Sequence, residues 1–394
     1  MKRIYLDHTA ATPLRPEVRE AMEPWLHGVR GNPSGVHRSA REARRALEEA
    51  RARTAAALGR APEEIRFVRG GTEANNLALL GWAEAVGSPP GLARIHLSGV
   101  EHSSVRETAE TMARRGVELA PLPIAPNGEA QLEEEPGAAS SRPELVCLMA
   151  VSHETGTVHD LAGLAPAVRA RGAQLHVDGV QAQDLLREVS TLADTLALSA
   201  HKLGGPRSLG VLVVRAGREP APLLFGGGQE GGLRPGTEDV AGAVGAAVAV
   251  EWAVSPEGNR EARRLGVLRD RLEGAITDRF PFVRVLGREG RRSPRILALG
   301  VPGVERDLLP RALDLEGVEA SAGAACRSGS LEPSPGLSAY FGLELARSIA
   351  PLRLSLGWTT TAEEVEEAIL RIGAVLERIT ALAAPAGMNG GSVR

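Results

Sequence analysis

The sequence is short of the residue types that mark the more specialised protein classes. Its 394 residues include two cysteines, Cys147 and Cys326. That is too few for a disulfide framework, and no Cys-x-x-Cys pair is present for zinc or dithiol chemistry. Aromatic residues make up 3% of the chain and the formal net charge is −3. The first argues against stacking platforms for single-stranded nucleic acid, the second against the basic footprint of a nucleic-acid binder. The longest run of small apolar residues, Val240 to Val250, is too short and too rich in alanine to span a bilayer. The opening segment, Met1-Lys-Arg-Ile-Tyr-Leu-Asp7, lacks an apolar stretch long enough for a secretory signal, so the expected location is the cytoplasm. Neither nucleic acid nor membrane is expected as a direct partner, and no resident metal is expected.

What is present is an ordinary globular composition, 43% hydrophobic and 24% charged, in a chain long enough for roughly two or three domains. Short apolar runs alternate with helical patterns. Strands are expected at Ile65–Val68, Arg94–Ser98, Val117–Leu122, Leu145–Val151, Leu175–Val177, Thr195–Ala200 and Gly210–Val214. Helices are expected at Thr72–Val86, Ser103–Arg115 and Leu161–Arg171. This alternation predicts an α/β fold with a mostly parallel sheet buried on both faces. Long helices follow over Thr237–Val254 and Gly258–Phe280. A second set of strands, Phe282–Leu286, Ile296–Leu299 and Leu352–Leu356, alternates with helices Val304–Leu315 and Ala362–Thr380. These predict a smaller α/β domain near the C-terminus. The expected division is a large domain over 15–256, a small domain made of 1–14 and 257–384, and a frayed tail over 385–394.

Ligands of such sheets bind outside the carboxyl ends of the strands. Lys202 ends one apolar run, Leu196-Ala-Leu-Ser-Ala-His-Lys202, directly before Leu-Gly-Gly-Pro206. Asp178 ends another, Gln174-Leu-His-Val-Asp178. A strand-end lysine and a strand-end carboxylate are the pair that a pyridoxal 5'-phosphate (PLP) site needs. The lysine binds the cofactor aldehyde; the aspartate keeps the pyridine nitrogen protonated. The ordinary alternatives are a solvated surface lysine and an aspartate that caps the next helix. Gln181, close behind Asp178, offers an amide to the cofactor's ring oxygen. Ser199 and His201 flank the lysine with donors suited to phosphate.

Other stretches add to the pattern. Val68-Arg-Gly-Gly-Thr72-Glu73 joins a strand to a helix, where backbone N–H groups bind phosphate, or where Thr72 merely caps the helix. His102 follows the next strand, placed either to stack on a flat cofactor and shuttle a proton or to make a local hydrogen bond. Gly226-Gly-Gly-Gln-Glu-Gly-Gly-Leu-Arg-Pro-Gly-Thr237 is either a phosphate-binding loop reaching a neighbouring subunit or a linker. Cys326 lies among small and polar residues beside Arg327, conditions that favour thiolate. Cys147 sits in a buried-strand pattern and reads as an inert small hydrophobe. Arg353, inside the apolar strand Pro351-Leu-Arg-Leu-Ser-Leu-Gly357, suits a substrate carboxylate.

Taken together, these residues resemble the cysteine desulfurases of the class V aminotransferase superfamily. The motifs run in order along nearly the whole chain: Tyr5-Leu-Asp-His-Thr-Ala-Ala-Thr-Pro13, Gly31-Asn-Pro-Ser34, Gly71-Thr-Glu73, Glu101-His102, His176-Val-Asp178-x-x-Gln181, Ser199-x-His-Lys202, Gly226-Gly-Gly-Gln-Glu230, Arg234-Pro-Gly-Thr237, Ala325-Cys326 and Ser330-Leu-Glu-Pro-Ser334. The last two are similar to the long-loop subgroup that hands sulfur to acceptor proteins. The resemblance implies the PLP-dependent transferase fold of type I, a homodimer and conversion of L-cysteine to L-alanine. It also implies a persulfide on Cys326 for a sulfur-acceptor protein of the scaffold or tRNA-thiolation type, as in iron–sulfur cluster assembly.

Roles follow from the same resemblance. Lys202 carries the cofactor and moves the α-proton. Asp178 pairs with the ring nitrogen, Gln181 with the ring oxygen, and His102 stacks. Gly71, Thr72, Ser199, His201 and, from the other subunit, Thr237 hold the phosphate. Arg353, Asn32 and His153 face the substrate. Three positions depart from the family pattern: His153 stands where a second asparagine is usual, Gly231 where arginine is common, and Gly179 where alanine or serine is common. Related enzymes on this scaffold (an aminotransferase, a selenocysteine lyase, a cysteine lyase) do not need Cys326, and a non-catalytic PLP-binding scaffold does not either.

Overall fold

The structure is a computed structural model and describes residues 2–27, 31–87, 93–132, 142–323 and 332–383. In chain order its first part comprises β1 (Ile4–Tyr5), α1 (Pro16–Leu26), α2 (Arg38–Leu58), β2 (Ile65–Val68), α3 (Gly71–Val86), β3 (Arg94–Ser98), α4 (Ser103–Arg114) and β4 (Glu118–Leu122). Then come β5 (Glu144–Cys147), α5 (Leu161–Ala170), β6 (Gln174–Asp178), α6 (Leu186–Leu192), β7 (Thr195–Ser199), β8 (Gly210–Val214) and α7 (Val240–Val254). The last part holds α8 (Pro256–Arg279), β9 (Arg284–Val285), β10 (Ile296–Pro302), α9 (Leu308–Leu315), β11 (Val318–Glu319), α10 (Pro335–Ser348), β12 (Ile349–Ser355) and α11 (Ala362–Ala383).

The principal sheet has seven strands in the order β2-β8-β7-β6-β5-β3-β4. β8 runs against both its neighbours, and the other pairings are parallel. Period-2 alternation sends successive side chains to opposite faces. Leu196, Leu198, Val211 and Val213 join one core, with Leu47 and Ala50 of α2 and Ala243 and Ala246 of α7. Ala197, Leu212 and Val214 join the other, with Leu77 and Trp82 of α3 and Met112 of α4. Helix α7, Val-Ala-Gly-Ala-Val-Gly-Ala-Ala-Val-Ala-Val-Glu-Trp-Ala-Val, is apolar nearly all round, and it is buried nearly all round.

The second layer system has a three-stranded sheet, β12-β10-β9, and a two-stranded parallel pair, β1-β11. Its core joins Leu297 and Leu299 of β10, Leu352 and Leu354 of β12, Leu265 and Leu272 of α8, and Ala368 and Ile372 of α11. Ile4 and Leu6 belong to this core, so the start of the chain packs with its end.

The expected elements are present with shifted ends, and the shifts have local causes. The helix expected from Thr237 begins at Val240, because the Asp239 side chain accepts from Gly242 N–H and caps it. The strand expected to run to Val151 ends at Cys147. Beyond it the chain follows β6 by separate bonds, Leu148 N–H to His176 O and Ala150 N–H to Asp178 O. Helices α1, α2, α6 and α10 and strands β1 and β11 were not among the expectations. Among the described residues no helix is long and apolar enough to cross a membrane.

Candidate active site

The carboxyl ends of β6 and β7 lie side by side in parallel register, Asp178 opposite Ala197. Both strands are almost wholly buried, as their apolar sequences require. Asp178 ends β6 at 6% exposure. After Ser199 a single turn of 3₁₀ helix, Ala200–Lys202, brings the lysine round to the same edge. A cavity of about 480 Å³ opens there, within the range of small-molecule sites. It is lined by Lys202, Asp178, Gln181, Ser199, His201, Gly71, Thr72, His102, His153 and Arg353.

The Lys202 ammonium donates to the backbone carbonyls of Thr9 at 2.6 Å and Ala10 at 2.7 Å. The Thr9 carbonyl also accepts from Gln181 Nε2 at 3.1 Å. Thr9 and Ala10 of the Tyr5–Pro13 stretch therefore serve the site through their backbone carbonyls. Asp178 accepts from Val180 N–H at 3.0 Å and from Asn75 Nδ2 at 2.8 Å. No helix follows it directly, which removes the capping alternative.

Helix α3 starts at Gly71 with Gly70 as its cap residue, at φ +107°. That conformation is open to glycine and strained for other residues. A Cβ on Gly71 would stand 2.6 Å from Val180 Cγ2, so the close approach needs a residue without one. Thr72 is thus within the first turn rather than the cap, with its face to the cavity. Ser199 Oγ lies 2.9 Å from His201 Nδ1. Burial, with Lys202 and Arg207 adding to it, pushes the His201 ring down to about 4, so at neutral pH it is uncharged.

His102 caps α4: its Nδ1 accepts from Ser104 N–H at 3.1 Å. Its ring meets the His153 ring edge-to-face at 5.4 Å. Burial, then the charges of His102, Arg353 and Lys202, hold His153 well below the usual histidine range. Arg353 is 3% exposed. Its Nη1 donates to His153 O at 2.7 Å and Gly323 O at 2.6 Å, and its Nη2 to Asp7 Oδ1 at 2.8 Å. Its buried Nε has no partner among the described residues. Glu101 also lines the cavity; burial pushes its carboxyl up to about 8, although Ser98 Oγ and Met149 N–H both donate to it.

Two expected site residues stand apart. Asn32 is exposed, its Oδ1 occupied by Ser34 N–H at 2.9 Å. Thr237 is exposed and does not line the cavity of its own chain. Cys326 lies outside the described residues. Asp7, Thr9, Asn75, Glu101, Arg106 and Glu154 were not singled out individually, yet each lines the cavity or bonds a residue that does. Asn75 alone left a signal of its own kind: an amide within an apolar helical run, where asparagine is a poor helix former.

This residue set fits PLP. The Asp178 carboxylate would suit a protonated ring nitrogen, the Lys202 amine an aldehyde, and the glycine cradle with Ser199 at the start of α3 a phosphate. The comparisons with known proteins agree with that chemistry. A family model described as aminotransferase class-V matches residues 4–368. The chain is 38% identical over 383 residues to a cysteine desulfurase IscS of Dictyoglomus turgidum, covering 96% of both chains. It is 37% identical to a putative cysteine desulfurase IscS 1 of Bacillus subtilis, over 96% of this chain and all of that one. A solved NifS-like protein superposes with a TM-score of 0.84 at 27% identity, over 95% of this chain.

Proposed function

The chain belongs to the aminotransferase class-V family, and on that premise we propose that it is a PLP-dependent cysteine desulfurase. It converts L-cysteine to L-alanine and receives the sulfur on Cys326 as a persulfide. The observation that carries this reading is the meeting of Lys202, Asp178 and Arg353 in one cavity.

Bound PLP supplies an electron sink conjugated to the substrate Cα. The chain's residues do the rest. Asp178 would pair with the ring nitrogen, Gln181 with the ring oxygen, and His102 would stack on the ring. Gly71, Thr72, Ser199 and His201 take the phosphate; His201 serves as a neutral hydrogen-bonding group. Lys202 would hold the aldehyde, and its Nζ is the base placed to move the substrate α-proton. Arg353 holds the substrate carboxylate, aided by His153 and Asn32. Cys326 Sγ attacks the substrate sulfur, the Cβ–S bond breaks, and a proton goes to Cβ. Cysteine and the Cys326 thiol thereby become alanine and a persulfide, with atoms and electrons balanced.

In this reading the protein is a cytoplasmic homodimer in which Thr237 of one subunit reaches the phosphate bound by the other. The PLP-binding domain spans 15–256; residues 1–14 and 257–384 form the small domain that bears Cys326. An acceptor protein, of the kind that supplies iron–sulfur assembly or tRNA thiolation, collects the persulfide sulfur. The reading is tested by incubation with PLP, borohydride reduction and peptide mapping. A pyridoxyl adduct on Lys202 is expected; an adduct on another lysine, or none, would refute the site.

A further inference from the structure

Asn75 sits in the second turn of α3 and is 1% exposed. A buried amide is costly unless all its polar atoms are bonded. Each of its partners here is another buried side chain, Asp178 and Ser104 in the cavity wall and His176 behind it. Nδ2 donates to Asp178 Oδ2 at 2.8 Å and to Ser104 Oγ at 2.9 Å, while Oδ1 faces His176 Nε2 at 3.1 Å.

These partners settle the direction of every bond. A carboxylate only accepts, so the amide nitrogen faces Asp178 and the amide oxygen faces His176. His176 must then carry its hydrogen on Nε2. Burial pushes this ring down to about 3, so it stays neutral, and its bare Nδ1 accepts from the Thr195 hydroxyl at 2.9 Å. The fold thus supplies a chain of donors, Thr195 to His176 to Asn75 to Asp178, that ends on the group facing the ring nitrogen. The second amide hydrogen fills a lone pair of Ser104 Oγ, whose own hydrogen is then directed to His102 Nδ1 at 2.8 Å. Since Ser104 N–H also points at that atom, a neutral His102 carries its hydrogen on Nε2.

We propose that Asn75 is a positioning residue for Asp178, oriented by His176 and linked through Ser104 to His102. Asp178 receives one donor on each oxygen, Val180 N–H on Oδ1 and Asn75 on Oδ2, which fixes the carboxylate plane. Removing either Asn75 or the His176 donor that orients it lets the carboxylate turn. This inference rests on the assignment of Asp178 to the ring nitrogen.

The test is a double-mutant cycle read by the dissociation constant of PLP for the full-length protein and by the absorption spectrum of the bound cofactor. Asn75→Ala is expected to weaken PLP binding by about tenfold or more, the usual worth of a hydrogen bond to a charged group. In an Asp178→Ala background the same change is expected to have less than about a third of that effect, because the group it positions is gone. His176→Leu is expected to act in the same direction, and His176→Gln, which keeps an N–H donor, to restore binding. The His176 pair keeps the test open should Asn75→Ala fail to fold. Equal effects of Asn75→Ala in both backgrounds, or equal effects of His176→Leu and His176→Gln, would overturn the proposal. A wild-type protein that takes up no PLP would instead overturn the reading of the site itself.

Discussion

The Arg353 guanidinium and the Asp7 carboxylate form an ion pair at 2.8 Å, with the arginine side chain 3% exposed. The other terminal nitrogen is taken by two backbone carbonyls, those of His153 and Gly323. For the substrate carboxylate that we propose Arg353 to hold, the remaining edge is the one made by Nε and Nη2, with Asp7 as competitor. Arg353→Lys keeps the charge and loses the fork. The expected outcome is a KM for L-cysteine raised about tenfold to a hundredfold, with the absorption of bound cofactor unaltered. Steady-state kinetics beside a spectrum checks both.

The two cysteines are expected to differ completely in reactivity. Cys147 is fully buried in β5, and burial raises its thiol well above the usual value. Native protein treated with iodoacetamide should carry one label, on Cys326, with Cys147 modified only after unfolding. Cys147→Ala should retain desulfuration, and Cys326→Ala should lose it. Peptide mass spectrometry reads the first result and an alanine assay the second.

Stability is expected to peak near pH 7. Burial pushes His176 down to about 3 and His8, His159 and His201 down to about 4. Between those values and the ordinary 6.5 the unfolded chain binds the extra protons, so stability falls as the pH drops through that window. Glu101 acts in the opposite sense, raised from 4.5 to about 8 by burial. The folded chain keeps its proton longer, so this contribution is complete below 4.5 and is lost as the pH rises towards 8. Near pH 7 these four histidines of the unfolded chain together bind about one proton, which balances the one that Glu101 keeps; below that the histidines prevail, and above it the glutamate does. Melting temperatures measured from pH 5 to 8.5 should show the maximum, and Glu101→Gln should flatten the decline above it.

Glu230 anchors the glycine-rich loop from within. It is 6% exposed, lies at φ +49°, and takes both terminal nitrogens of Arg51 at 2.7 and 2.8 Å and Phe67 N–H at 2.8 Å. Glu230→Ala takes both carboxylate bonds from the terminal nitrogens of a buried guanidinium, leaving it the half-exposed Glu48 at 3.2 Å and the Ile65 carbonyl. A loss of about 3–5 kcal/mol in denaturant unfolding is expected.

Much of this architecture was legible in the sequence because β-strands buried on both faces and strand-end polar residues leave strong marks. β3 and β8 fall on their expected bounds, and Lys202, Asp178, Gln181 and His102 meet as their strand-end positions imply. What escaped notice has physical reasons. Helices α1 and α2 precede the first strand of the large sheet, so a reading led by strand–helix alternation passes over them. The Ala-, Arg- and Glu-rich sequence of α2 nevertheless favours a helix. Asp7 and Thr9 reach the site across more than 190 positions of sequence, through an ion pair to Arg353 and a carbonyl to Lys202. No local pattern encodes such pairings. Asn75 is intermediate: its helix was expected, but its three buried partners come from α4 and β6.

The most direct test of the central claim is a single incubation of the protein with PLP and L-cysteine, with alanine and the mass of the Cys326 peptide measured together. Alanine formed alongside a sulfur added to Cys326, both absent in Lys202→Ala and the persulfide absent in Cys326→Ala, is the predicted result. PLP bound at Lys202 with no alanine released from L-cysteine would contradict the account.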